Sequence, residues 1–268
     1  MGPDDFQQVQ DSFVSQEVWD GIWANAQFSV APKEDPVRQW IEAHFRGRSG
    51  TCLELGCFPG RYLSVFGELG YELHGLDLTP RVEMDCKRWL VDRGYKVGEI
   101  SRGDVFSHRF DRQYDVVCSF GLIEHFGEWA KLLALQAELV ADGGCIVVET
   151  PNFRGWIQQM LHRCLDSENL KQHNLEAMVP NRWARELESR HFQIIERGHF
   201  GTFDFWTGTQ PRGTLARKTV NLICKVNRRL SSVWRNLPAG VAAYAPYCGL
   251  VARKMGLSPA GTLSSLPR

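Results

Sequence analysis

The chain has 268 residues, 43% hydrophobic and 23% charged, with 31 basic and 31 acidic side chains. That suffices for one sizeable core with a small cap and falls short of two full domains. No run of 18 apolar residues stands in it, so no transmembrane helix is expected.

The first residues carry neither a basic start nor an apolar stretch, so no secretory signal is expected. Residues 14–27 and 35–46 read as amphipathic helices, the second opened by Asp35 as N-cap and Pro36 at the first helical position. After Gly47–Gly50 the pattern alternates. Strands are expected at 51–56, 72–77, 95–100, 114–119 and 144–149, with helices at 60–69, 80–93 and 127–140 between them. Asp142, Gly143 and Gly144 make a tight turn before the fifth strand. Strands that alternate with helices imply an α/β fold with a doubly wound, mostly parallel sheet.

Residues 153–190 look helical, with Trp156, Ile157, Met160, Leu161 and Leu165 at helical spacing and a second helix near 181–190. A strand at 192–197, a basic amphipathic helix at 214–235 and a last strand at 247–253 follow. All 31 acidic residues stand at or before Asp204, whereas ten of the basic ones stand after it. Residues 205–268 therefore form a basic end, either a solvated face or a surface for an anionic partner or membrane. The eight cysteines form no CxxC pair, and Cys52, Cys118 and Cys145 fall in expected core strands, which suits a reduced, cytoplasmic protein.

The most informative stretch is TCLELGCFPGR at 51–61, an apolar strand that ends in Glu54 and Gly56 and turns into a helix through Gly60. The next strand, YELHGLD at 71–77, ends in Asp77. A glycine turn after one strand and a carboxylate at the tip of the next describe a nucleoside pocket at the carboxyl end of a parallel sheet. Taken singly, Asp77 reads as a turn residue or helix cap, and Asp104 as an Asp before a turn.

LELGCFPG, GLD, GDV, YDVVCSFGLIEHF and GGCIVVETPN, in that order over about residues 50–152, resemble the class I S-adenosylmethionine-dependent methyltransferases. The resemblance implies a Rossmann-like seven-stranded sheet with its last strand antiparallel, filled here by residues 247–253. It implies a cofactor-binding core at 47–152 and an N-terminal helical cap at 1–46. A helical insertion over the acceptor pocket at 153–190, the rest of the sheet with the basic helix at 191–256 and a tail at 257–268 complete the division.

By the same resemblance, Glu54 fixes the amino end of S-adenosylmethionine, while Gly56, Cys57, Phe58 and Gly60 form the turn around it. Asp77 accepts from both ribose hydroxyls, and Leu78 covers one adenine face. Asp104 and the backbone of Val105 meet the exocyclic amine, and Ser119 and Phe120 line the sulfonium. One departure stands out, since Phe58 occupies the place of the family's middle glycine and must adopt an ordinary φ or point away from the ligand.

Transfer to a hydroxyl needs the proton removed near the transition state, a task for a near-neutral base. His125, just after the fourth strand, is the candidate catalytic residue; the other reading is that Glu124 and His125 only start the next helix. For the acceptor, the candidates are Trp19, Trp23, Asn152, Trp156 and His173, with Trp40, Trp183, Phe203, Phe205 and Trp206 as further aromatic wall or core. His162, His191 and His199 read as structural or exposed. No His, Asp and Glu spacing indicates a metal, although Asp142 and Asn152 leave a magnesium site open.

The expected activity is O-methylation of a small molecule or glycan hydroxyl, the acceptor anionic or lipid-linked in one version, with peripheral membrane contact through 212–235. A nicotinamide-dependent oxidoreductase is one alternative, but Gly-x-Gly-x-x-Gly and a Tyr-x-x-x-Lys pair are missing. A non-catalytic nucleoside-binding protein is another, favoured by Phe58. No nucleic-acid substrate is expected, because SFGL rather than an Asn/Asp-Pro-Pro-Tyr/Phe motif follows the fourth strand.

Overall fold

The structure, a computed structural model, describes residues 12–208 and 214–256. Arg212 and the 257–268 tail lie outside the described residues. Seven strands form one sheet in the order β3-β2-β1-β4-β5-β7-β6. They are β1 (Thr51–Leu55), β2 (Glu72–Asp77), β3 (Val97–Arg102), β4 (Tyr114–Phe120), β5 (Val140–Pro151), β6 (Phe192–Phe200) and β7 (Tyr247–Lys254). The first five run parallel, and β7 lies antiparallel between β5 and β6.

The central strands are nearly continuous apolar runs because both faces of the sheet are covered. Successive side chains point to opposite faces. Cys52, Val116, Cys118 and Val147 join one core with Ile41, Phe45, Leu63, Phe66 and Leu90. Leu53, Val117, Ile146 and Val148 join the other with Leu132, Leu133, Trp183 and Leu187. The first face is thus covered by α2 (Pro36–Phe45), α3 (Leu63–Glu68) and α4 (Lys87–Asp92), and the second by α5 (Trp129–Leu139) and, beyond it in the chain, Pro180–Glu188.

Several boundaries differ from expectation for local reasons. The first helix, α1, is shorter, at Gln16–Trp23. Gly60 takes φ +82°, so the helix after β1 starts only at Leu63. A π-helical turn, Val82–Cys86, precedes α4. Residues 142–144 loop out within β5, since Tyr114 pairs with Val140 but Val116 with Cys145. The insertion divides into α6 (Trp156–Leu165), α7 (Ser167–Lys171) and α8 (Pro180–Glu188). The basic helix is α9 (Thr214–Arg229), followed by the short α10 (Ser231–Trp234). Among the described residues no helix is long and apolar enough to cross a membrane.

Strand order reverses between β1 and β4, and at such a point the two neighbouring loops leave in opposite directions and open a crevice. The carboxyl ends of β1, β2 and β4 meet there.

Candidate active site

A cavity of about 700 Å³ occupies that crevice. Of the residues expected around the cofactor, Glu54, Gly56, Cys57, Phe58, Asp77, Leu78, Asp104, Val105 and Phe120 line it. Gly60 and Ser119 do not. A side chain at Gly60 would meet Cys86 and Trp89, so its glycine serves packing under the turn. Ser119 is fully buried, and its hydroxyl donates to Gln136 at 3.3 Å.

Asp77 is held by the turn it faces. Its Oδ2 accepts from the Phe58 N–H at 2.9 Å and its Oδ1 from the Thr79 N–H at 2.8 Å. A carboxylate offers about four acceptor sites, so lone pairs remain for a ligand. Burial pushes its pKa up, and these two N–H groups oppose the shift. Phe58 keeps an ordinary negative φ. Its ring meets the edges of Trp23 and Phe28 at 6.1 and 5.6 Å, with the Arg81 guanidinium 5.5 Å from its centroid. The aromatic side chain is thereby absorbed into the wall. Gly56 takes φ +72°, and a Cβ there would stand 2.9 Å from the Leu122 side chain, too close for any residue but glycine. Asp104 accepts from the Phe106 N–H at 3.0 Å, an Asx turn at the rim.

Glu54 is buried and its Oε2 has no partner. Burial and the nearby Asp77 carboxylate raise its pKa well above the usual range, against the Leu63 N–H. Such an orphaned oxygen costs about 1–3 kcal/mol unless a ligand supplies a donor. An ammonium group fits that need, and the amino end of S-adenosylmethionine carries one. The carboxylate acceptors of Glu54, Asp77 and Asp104 therefore suit the cofactor's ammonium, ribose hydroxyls and adenine amine.

Trp19, Trp23 and His125 also line the cavity. The two indoles are stacked 6.2 Å apart, and the His125 ring meets Trp19 edge-on at 4.9 Å. His125 Nδ1 lies 3.0 Å from the Gln172 carbonyl, which can only accept. The proton is therefore on Nδ1 and the lone pair on Nε2. Burial, with the adjacent His173, lowers the His125 pKa to about 3, so the ring is neutral and, without ligand, a weaker base than the near-neutral one expected from the sequence. His173 lies behind it at 4.5 Å and is lowered by burial to about 4. Burial raises the neighbouring Glu124 to about 8.

The remaining acceptor candidates lie off the cavity. Asn152 is buried, donating to the Ala242 and Ala245 carbonyls at 2.9 Å and accepting from the Gly155 N–H. Trp156 is 65% exposed, and α6 buries Gln158 and His162 instead. Trp183 is core, its indole donating to the Ala177 carbonyl at 2.7 Å, and Trp40 stacks on Phe200. His162 is fully buried, 3.5 Å from Asp166. Conversely, Arg61, Tyr62 and Phe126 line the cavity without a local pattern that marks them. Arg61 is pinned by Asp35 at 2.7 Å, the same carboxylate that caps α2. That pairing spans 26 residues and leaves no local pattern.

A profile described as a methyltransferase domain matches residues 33–200. The chain belongs to that family, and it is an S-adenosylmethionine-dependent methyltransferase of the class I fold. It is 28% identical over 203 residues to the ubiquinone biosynthesis O-methyltransferase of Burkholderia pseudomallei strain 1710b, covering 72% of this chain and 84% of the relative. Among solved structures, it resembles an S-adenosylmethionine-dependent methyltransferase from Thiobacillus denitrificans in complex with S-adenosylhomocysteine. The TM-score is 0.56 at 14% identity, over 88% of this chain and 97% of that one. One from Geobacter sulfurreducens, in the same complex, gives a TM-score of 0.56 at 16% identity with the same coverage.

Proposed function

We propose that the protein transfers the methyl group of S-adenosylmethionine to a hydroxyl oxygen of a small organic acceptor. The observation that carries this reading is the neutral, tautomer-fixed His125 beside two stacked indoles, in one cavity with Glu54, Asp77 and Asp104. The cavity volume is within the range of sites that enclose a drug-sized ligand. The name of the Burkholderia relative, an O-methyltransferase of ubiquinone biosynthesis, supports a small-molecule acceptor over a glycan.

In this reading Glu54 receives the amino end of the cofactor, Asp77 the ribose hydroxyls, and Asp104 with the Val105 backbone the adenine amine. Leu78 covers the adenine, and Phe120 lies along the sulfonium. The cofactor supplies an activated methyl group and its own leaving group. The chain's part is to align the acceptor, exclude water and receive the hydroxyl proton at His125 Nε2. Trp19 and Trp23 hold a flat or apolar acceptor against that nitrogen.

The test is transfer of a labelled methyl group to a panel of phenols, alcohols and sugars. A methyl ether of a small acceptor is expected, with kcat about 10²–10⁴-fold lower in His125→Ala and S-adenosylhomocysteine affinity nearly unchanged. Methylation at nitrogen or carbon alone, or equal loss of turnover and cofactor affinity in the variant, contradicts the reading.

A further inference from the structure

Behind the acceptor end of the cavity, three side chains from two distant segments converge. Gly121, at φ +62°, turns the chain out of β4, and a single 3₁₀ turn, Ile123–His125, sets Glu124 and His125 side by side. His173 follows α7 in the insertion. One nitrogen of each imidazole and one carboxylate oxygen of Glu124 all lie within 4.8 Å of one another. The two segments are stitched together by the Asn174 N–H on the Glu124 carbonyl at 2.6 Å and the Asn174 side chain on the Phe126 carbonyl at 3.0 Å.

The three groups offer the space between them lone pairs. His125 donates through Nδ1 to the Gln172 carbonyl, and His173 donates through Nδ1 to the Asn169 carbonyl at 2.7 Å. Each ring therefore keeps its proton outside the cluster and its Nε2 lone pair free of it. Glu124 is fully buried, and neither carboxylate oxygen has a partner. A buried carboxylate beside two imidazole lone pairs is a cost unless a proton or a metal ion sits among them. Imidazoles whose second nitrogen donates to a backbone carbonyl are how proteins orient metal-binding histidines.

We infer that Glu124, His125 and His173 form a site for one divalent transition-metal ion. Two nitrogen ligands and one carboxylate suit zinc, iron(II) or cobalt(II) better than calcium or magnesium, which favour all-oxygen shells. Of the three, His125 also lines the cavity. An ion there occupies the lone pair that the base role uses. The two roles of His125 are thus alternatives, and metal binding does not depend on which acceptor is methylated. Sequence spacing concealed the cluster because His173 reaches it only through the folded insertion.

The test uses the full chain stripped with a chelator and titrated with zinc or cobalt(II) alone, with S-adenosylhomocysteine binding measured on the same samples. One zinc per chain is expected, weakened at least about tenfold in His173→Ala and in Glu124→Gln, while His173→Ala still binds S-adenosylhomocysteine. His173→Cys should place a thiolate on cobalt and produce a sulfur-to-metal charge-transfer band. Equal zinc affinity in the parent and His173→Ala, or a folded His173→Cys protein without that band, overturns the site. The methyltransferase reading fails separately, through loss of S-adenosylhomocysteine binding by the parent.

Discussion

Of two neighbouring carboxylates beside the cavity, Glu54 is buried and Asp77 half-buried, and desolvation raises the pKa of each. In the unfolded chain Glu54 returns toward the ordinary 4.5. A raised folded-state pKa means that its stabilising effect is complete below about pH 4.5 and is lost as pH climbs toward the folded value. Gln at position 54 has the same shape and no titration. Thermal unfolding without ligand should therefore show Glu54→Gln gaining on the parent steadily from about pH 5 to pH 8. A gap that stays constant across this range contradicts a buried, protonated Glu54. The place of Asp77 on the cavity wall was legible because it is local: the strand tip, the turn and the carboxylate lie within one short stretch. Ser119, Asn152 and Trp156 misled for the opposite reason. Whether a side chain at the end of a strand or on a helix faces a cavity, a neighbour or water depends on what packs across from it. Gln136 beside Ser119, and the 242–245 segment on Asn152, come from elsewhere in the chain.

At the scale of elements, α1 is the least anchored part of the site. It contains no buried residue, yet Trp19 and Trp23 form a wall of the cavity. Its leading end is tied by the Phe13 N–H to the His125 carbonyl at 2.8 Å. Its trailing end is tied by Arg81, which donates to the Trp23 and Ala24 carbonyls at 2.9 and 3.1 Å. Removing both of these charge-assisted bonds should cost about 1.5–3 kcal/mol locally, a rise of about tenfold or more in local opening. Hydrogen exchange of Arg81→Ala should then accelerate over residues 16–24 and stay unchanged in β1 and β4. Unchanged exchange in α1 contradicts this anchoring. The boundaries of α2 and β2 were readable because a cap or a turn marks them, whereas β6 runs on to Phe200, three residues past its expected end. The start of α3 was not, because Gly60 withholds it from the helix through a backbone conformation that sequence periodicity does not record. In α6 the pattern even inverts: Gln158 is buried on the Asp204 and Tyr244 carbonyls, while Trp156 and Met160 face outward.

Across the whole molecule, the seven-stranded sheet was implied by the succession of motifs, and the antiparallel place of β7 follows the expected pattern. The cofactor half of the site arises from three consecutive strand tips, so most of it could be read from one dimension. The acceptor half is assembled from α1, the turn after β4 and the insertion, and only folding brings His173 to His125. The segregation of charge also survives folding, with Lys218, Lys225, Arg228 and Arg229 exposed on α9. That distribution gives the molecule a basic side without deciding what it meets.

The central claim is a nucleoside cofactor seated on the tips of β1, β2 and β3, its ribose on Asp77. Calorimetric titration of the parent and Asp77→Ala with S-adenosylhomocysteine tests it most directly. The account predicts one site per chain in the parent and an affinity about ten- to a hundredfold weaker in the variant, as befits the loss of charge-assisted hydrogen bonds. No binding by the folded parent, or equal binding by both proteins, would contradict it.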